Sequence, residues 1–365
     1  LYLDRIPPFA AVNESVRIAS STSKPQSAGF VNAVLRKAAK ERMRLLRPSE
    51  IEDSAAALAL HHSIPEWIVA RWLAHWGAQK TRALLETFGE PSHPSLWVNP
   101  FQGTRESLMH EMDSAGITSE PSRLLPTSLR ILRGNPARTS SFADGKGYLQ
   151  DEASQSVPML LGARRGESVL DLCAAPGGKS FVLASAVGPS GQVLAMDRDI
   201  SRLRTLKANR DRLQIPWVLP VVADLQRTLP LLGLHSAVLL DAPCTGTGTL
   251  GRRPEIRWRR SPGDLASLVE RQGQLLDRAA GILAPGGRLV YSVCSLEPEE
   301  GASRIETFLR QHPDFSLGDP RPLLPETLAH AVTDEGYFLT WPPRDGVDGF
   351  FAARLERRTG GAPRP

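Results

Sequence analysis

The stretch SVLDLCAAPGGKS, residues 168–180, decides how the chain is read. An apolar run stops at Cys173, Gly177 and Gly178 follow, and a helical pattern begins near Lys179. A buried strand that feeds a helix through a glycine-containing turn is the opening unit of a parallel sheet. The same texture continues downstream. QVLAMD leads to a helix from Ser201, and WVLPVV comes next. SAVLLD leads to a helix over Leu265 to Leu283, and RLVYSVC to a helix from Glu299. This alternation predicts an α/β fold, a Rossmann-like, doubly wound and mostly parallel sheet with helices on both faces. The last apolar runs, near Tyr337 to Trp341 and Phe350 to Leu355, suit an antiparallel pair closing one edge.

Ligands of such a sheet bind beyond the carboxyl ends of its strands. The loop Cys173-Ala174-Ala175-Pro176-Gly177-Gly178-Lys179 carries no bulky side chain before Lys179, so a ligand can approach its backbone. It fits neither the GxxxxGK[ST] of a phosphate loop nor the GxGxxG of a dinucleotide site. Asp197 ends the second strand, where a carboxylate suits two ribose hydroxyls; capping of the next helix by Asp197 or Asp199 is the ordinary alternative. Asp224, after VLPVV, is placed to accept from an adenine amino group, and Asp241 ends the SAVLLD run. An adenosyl group held without a pyrophosphate points to S-adenosylmethionine as cofactor.

The chain has three cysteines, Cys173, Cys244 and Cys294, and on this reading all three lie at or just past strand ends on the ligand side. A free cysteine is most often a small core residue. A thiol beside a methyl donor nevertheless has a specific use. Carbon 5 of cytosine is a poor nucleophile; a thiolate adding to carbon 6 makes an enamine whose carbon 5 can attack the sulfonium methyl. An acid near ring nitrogen 3 would stabilise the adduct, and Asp241 is the candidate. A cationic cofactor nearby would favour the thiolate.

The segments DLCAAPGGK, LLDAPCTGTG, RRPEIRWRR and YSVCSLEPEEG resemble the signature segments of the RNA (cytosine-C5) methyltransferases of the Nol/Nop/Sun family. The resemblance covers roughly residues 145–355 and implies a class I S-adenosylmethionine-dependent methyltransferase domain. It implies that Cys294 is the nucleophile and that Cys244 assists release of the RNA adduct. It places Cys173 to Lys179, Asp197, Asp224 and Asp241 around the cofactor, and Arg202 is a further candidate for that site. One departure is Val293, where the family usually has Thr before the second cysteine. The segment Gly251 to Arg260 brings five arginines and a tryptophan next to the Cys244 loop. Arg252, Arg253, Arg257, Arg259 and Arg260 suit phosphates and Trp258 suits base stacking; a solvated basic loop is the plain alternative. A cytosine in structured RNA would have to be flipped out.

Upstream, AAVNESVRIA and GFVNAVLRK resemble the second half of the NusB-like helical domain that precedes the catalytic part in the bacterial 16S rRNA enzymes of the RsmB (Sun/Fmu) type. That resemblance implies methylation of cytosine 967 of 16S rRNA. The family's domain is longer, and the chain opens on Leu1 rather than Met, so a truncated or misassigned start is expected, with apolar helix faces left uncovered. The stripe Phe30, Val31, Val34, Leu35, Ala38 marks one helix, which ends in the basic cluster Arg36, Lys37, Lys40, Arg42, Arg44, Arg47. Pro65 to Phe88 reads as a helical pair with core tryptophans, and Gly89 to Tyr148 as a small α+β module. The expected domains are a partial NusB-like domain over 1–60, a linking module over 61–145, the methyltransferase domain over 146–357 and a tail over 358–365.

Bulk properties fit. A chain of 365 residues is long for one core. Its charge of +5, with 44 basic against 39 acidic side chains, permits a polyanionic partner such as RNA. No apolar run is long enough for a membrane span and no leader pattern opens the chain. Three cysteines without a CxxC pair form neither a disulfide framework nor a zinc site, so no metal is expected and a reducing cytoplasm is. A monomer is expected. The competing readings are the same chemistry on tRNA or another rRNA site, and a non-catalytic RNA-binding assembly factor; a small-molecule methyltransferase would leave the arginine segment without a use.

Overall fold

Strand by strand, the apolar runs of the C-terminal half become one sheet. A computed structural model of the chain describes residues 6–22, 24–41, 54–227 and 233–360. Two compact units divide at Ala78/Gln79, inside a long helix that Gly77 breaks with a φ of 75°. The first unit holds α1 (Pro8–Ser20), α2 (Ala28–Lys40), α3 (Ala55–His62) and the start of α4 (Glu66–Gly89). α1 packs on α2. The stripe on α2 is only partly covered: Phe30 and Val34 are exposed, as are Phe9 and Ile18 on α1. Two helices packed on each other bury only their facing sides. Of the basic cluster, Arg42, Arg44 and Arg47 lie outside the described residues, and α2 ends at Lys40. Ile68 and Trp72 of α4 are buried, as their spacing predicts.

The second unit begins with β1 (Ser95–Val98), α5 (Arg105–Ser114), β2 (Thr118–Pro121), β3 (Ser128–Arg133), α6 (Ser140–Ala143) and β4 (Gly147–Leu149). Its four strands form an antiparallel sheet in the order β2-β3-β1-β4. Leu108 and Met112 of α5 close a small core against Leu96, Val98, Leu129 and Ile131.

Beyond α7 (Glu152–Ser156) come β5 (Ser168–Asp171), α8 (Gly178–Val187), β6 (Gln192–Asp197), α9 (Ile200–Leu213), β7 (Val218–Val222), β8 (His235–Asp241), α10 (Pro262–Gly281), β9 (Leu283–Val293), α11 (Ala302–Gln311), β10 (Phe315–Leu317), β11 (Phe338–Thr340), α12 (Pro342–Asp345) and β12 (Phe350–Arg357). The sheet order is β10-β12-β9-β8-β5-β6-β7, with β11 also paired to β12. β5, β6, β7, β8 and β9 are parallel, and β12 runs antiparallel to β9. The pair β11–β12 is antiparallel, as expected, but β12 is not the edge: β10 and β11 share its outer side. β5 ends at Asp171, two residues before the expected Cys173, because the chain leaves the ladder to form the loop.

Alternate residues serve opposite faces. Val169 and Leu239 join the core with Phe181 and Leu206, whereas Leu170, Val238 and Leu240 join the core with Leu276, Tyr291 and Ile305. Helix starts are fixed by local chemistry. Asp199 accepts from the backbone N–H groups of Ser201 and Arg202 and so caps α9. Ser261 and Asp264 form a reciprocal cap at α10, with Pro262 in the first turn. The chain order reverses between β5 and β8, so their carboxyl ends part and open a crevice there. Among the described residues no helix is long and apolar enough to cross a membrane.

Candidate active site

The crevice is a cavity of about 960 Å³ at the carboxyl ends of β5, β6, β7 and β8. Its floor is the loop after β5. Gly177 has a φ of 114°, and a Cβ there would lie 2.6 Å from the Phe181 ring, so only glycine lets α8 start where it does. Gly177 supplies no side-chain cap, and the first N–H groups of α8 are left for a ligand.

Three aspartates close the walls. Asp197 is 5% exposed and accepts from Ala175 N at 3.2 Å and from Asp199 N at 2.9 Å. With Asp199 as the helix cap, Asp197 stays on the cavity wall, paired at 3.4 Å with Arg202, which also donates to the Ala175 carbonyl. Asp224 caps its own turn through Gln226 N at 3.0 Å. Asp241 receives the Lys179 ammonium at 2.8 Å and the Ser292 hydroxyl at 2.7 Å. Lys179 also donates to Ser154 at 3.0 Å and lies 5.0 Å from the Phe350 ring centre. Burial would lower its pKa, but the Asp241 charge and hydrogen bond outweigh it and raise the pKa, so Lys179 stays an ammonium.

Cys244 and Cys294 come together. Their sulfurs are 3.3 Å apart, on the loops after β8 and β9. The hydrogen bond to Cys294, burial and the neighbouring charge hold the Cys244 thiol well above the usual range. Cys244 therefore keeps its proton, within hydrogen-bond reach of Cys294 Sγ. Cys173 faces the cavity too, but burial and the surrounding aspartates push its thiol up. Val293, in the place where the family usually has Thr, is buried in an apolar core.

A network that was not evident in the sequence braces both loops. Glu300, fully buried, accepts from Thr245 N at 2.9 Å, from the hydroxyls of Thr245 and Ser295, and from Gln272 at 2.8 Å. Gln272 also donates to the Pro243 carbonyl at 2.9 Å. Asp171 was missed as well, although it ends its apolar run as Asp197 and Asp241 end theirs. It is wholly buried on the cavity wall, takes the Ser180 hydroxyl at 2.7 Å on one oxygen, and its other oxygen has no donor.

The arginine segment divides. Arg252 is salt-bridged to Asp348 and, at 3.5 Å, to Asp151. Arg257 donates to the Phe88 and Leu250 carbonyls, and Arg260 to those of Thr245 and Cys244. These three hold the loop in place. Arg253 and Arg259 are exposed on the cavity rim, and Trp258 is 71% exposed.

The residues present suit an adenosyl amino acid. Uncapped helix N–H groups favour its carboxylate, and Asp197 and Asp224 hydroxyl and amino donors.

Comparison with known proteins agrees. The family model described as 16S rRNA methyltransferase RsmB/F matches residues 158–356, the RsmF/B-like ferredoxin-like domain matches 64–138, and the NusB family matches 1–40. A protein of Bacillus subtilis (strain 168) named probable ribosomal RNA small subunit methyltransferase B is 33% identical over 362 residues, 98% of this chain and 80% of its own length. The ribosomal RNA small subunit methyltransferase B of Sodalis glossinidius (strain morsitans) is 34% identical over 361 residues, 97% of this chain and 78% of its own. Among solved structures, a methyltransferase homolog protein from Pyrococcus horikoshii superposes with a TM-score of 0.70 at 27% identity, covering 86% of this chain and 100% of that one.

Proposed function

Because this chain belongs to the 16S rRNA methyltransferase RsmB/F family, we propose that it methylates carbon 5 of a cytosine in 16S rRNA through a transient bond from Cys294 to carbon 6. The chain is an rRNA methyltransferase, and S-adenosylmethionine is its cofactor. When bound, the cofactor supplies an electrophilic sulfonium methyl group. One observation carries the reading: two sulfurs 3.3 Å apart open into the same cavity as the loop and aspartates suited to the donor.

The chain's own residues then have distinct tasks. Cys294 forms the S–C6 bond, and the ring electrons shift toward nitrogen 3. Asp241, held by Lys179 and Ser292, is the group proposed at nitrogen 3, where it passes to the ring a proton that the Lys179 ammonium, 2.8 Å away, supplies, so that the negative charge building on the ring is neutralised. Carbon 5 takes the methyl group; its proton is then lost to water, the C5–H electron pair closes the C5=C6 double bond, and the S–C6 pair leaves with the Cys294 sulfur. Cys244 keeps its proton, so it can give that proton to the departing sulfur. Arg253, Trp258 and Arg259 at the rim are proposed to receive the RNA, and Cys173 to shape the donor loop without taking part in the chemistry. By resemblance the target is cytosine 967. The same reading gives catalysis to residues 146–357 and RNA placement to 1–60 and 61–145.

The test is transfer of labelled methyl groups to a 16S rRNA transcript, followed by digestion to nucleosides. The label should appear in 5-methylcytidine and disappear with Cys294→Ala. Label on another atom or another RNA, or full activity in that variant, would refute the proposal.

A further inference from the structure

Arg271 stands on α10 and lines the cavity, yet the fold gives it no partner. Arg252 has two carboxylates, Arg257 and Arg260 have carbonyls, and Arg202 has both. Among the described residues Arg271 forms no hydrogen bond and no ion pair, and its Nε is buried with no acceptor. A guanidinium stays charged and carries five N–H donors; Arg271 is half-buried on the cavity wall, so its unpaired Nη groups are free to meet acceptors that a ligand brings.

The position of α10 indicates which end of the donor Arg271 meets. Gln274, three residues further and so on the same helix face, accepts from Gln226 at 3.1 Å. That contact holds this face of α10 against the loop after β7, the loop of Asp224. A carboxylate there can only accept, so it serves the exocyclic amino group of adenine. The ring nitrogens of adenine are acceptors that Asp224 cannot serve, and a guanidinium is their complement.

We propose that Arg271 binds the base end of the methyl donor, donating to an acceptor nitrogen of the adenine ring while Asp224 takes the amino group. This rests on placing S-adenosylmethionine in this cavity. Arg271 sets donor affinity and takes no part in the bond changes.

The test is calorimetric titration of the full chain with S-adenosylhomocysteine and with 5′-methylthioadenosine, which keeps the base, ribose and sulfur but lacks the amino-acid end. Arg271→Met should weaken both by about tenfold, the usual scale for one charge-assisted hydrogen bond, and Arg271→Lys should recover part of the loss. Unchanged affinities overturn the assignment. Weakened S-adenosylhomocysteine with unchanged 5′-methylthioadenosine also overturns it, by giving the guanidinium to the carboxylate. A loss confined to RNA affinity, read by filter binding, gives Arg271 to the RNA instead. Ligand-free Arg271→Met should melt no lower than wild type, since no hydrogen bond or ion pair is lost and Met keeps the packing of the stem; a lower melting temperature means Arg271 holds the fold. If wild type itself binds neither nucleoside, the placement of the donor falls, and not merely the role of Arg271.

Discussion

The sulfurs of Cys244 and Cys294 stand 3.3 Å apart although the residues are 50 positions apart in the chain. The register of β8 on β9 brings them together: Asp241 pairs with Ser292, and each cysteine follows within one short loop. The environment separates their roles, because the hydrogen bond and burial keep the Cys244 thiol protonated. Cys244→Ala should therefore still form the RNA adduct but release it slowly. A denaturing gel of that variant with 16S rRNA transcript and S-adenosylmethionine should show a retarded covalent species that is absent from Cys294→Ala. No retarded band would remove Cys244 from the release step.

Glu300 ties the two cysteine loops through Thr245, Ser295 and Gln272. Glu300→Gln keeps the shape but replaces acceptor oxygen with a donor that faces other donors. We expect kcat to fall by about tenfold or more, as misplaced catalytic groups usually cost, while KM for the donor changes little. Steady-state kinetics with varied S-adenosylmethionine would show this split; a pure KM effect would contradict it.

The arginine segment should respond residue by residue. Arg259→Met and Arg253→Met should weaken RNA binding and each reduce the slope of log affinity against log salt by about one. Trp258→Ala should weaken binding by roughly 1–3 kcal/mol with little effect on that slope. Arg257→Met should instead lower stability by about 1–3 kcal/mol, because it leaves the Phe88 and Leu250 carbonyls without their donor. Filter binding at several salt concentrations, with melting curves, separates the two groups; an Arg257 variant that melts normally and binds RNA poorly would reverse the assignment.

Asp171 makes stability depend on pH in an unusual direction. Burial, opposed by the Ser180 hydrogen bond and reinforced by the Asp241 charge, pushes its carboxyl from 3.8 up to about 7. The fold thus binds a proton that the unfolded chain has given up. This group's contribution is complete below 3.8 and is lost as the pH rises to about 7, by up to ~4 kcal/mol. Asp171→Asn should be less sensitive to pH across that window. Denaturant melts at about pH 5 and about pH 8 measure it, and equal pH sensitivity in both proteins would discard the explanation.

How much of this was legible follows from the range of each interaction. The strand runs ending at Asp197 and Asp241, the glycine turn before α8 and the Pro262 start of α10 are local patterns, and local sterics and hydrogen bonds fix them. Asp171 carries the same signal, but the apolar run reads on through Leu172 to Cys173 and hides the strand end. The choice between Asp197 and Asp199 as helix cap needed the backbone path, which gives the cap to Asp199.

The order of residues by itself determined an α/β sheet, a loop suited to an adenosyl group and the presence of reactive thiols beside it, because each is written within a dozen neighbouring positions. Only the tertiary structure decided that Cys244 and Cys294 meet and that the Cys244 thiol is held protonated, that Glu300 braces both loops, that Arg252, Arg257 and Arg260 serve the fold while Arg253 and Arg259 face outward, and that Arg271 forms no hydrogen bond or ion pair among the described residues. Those outcomes depend on which distant strands and helices meet. A side chain's charge and chemistry are set by its residue type, but its partners are set by the register and packing of elements far away in the chain.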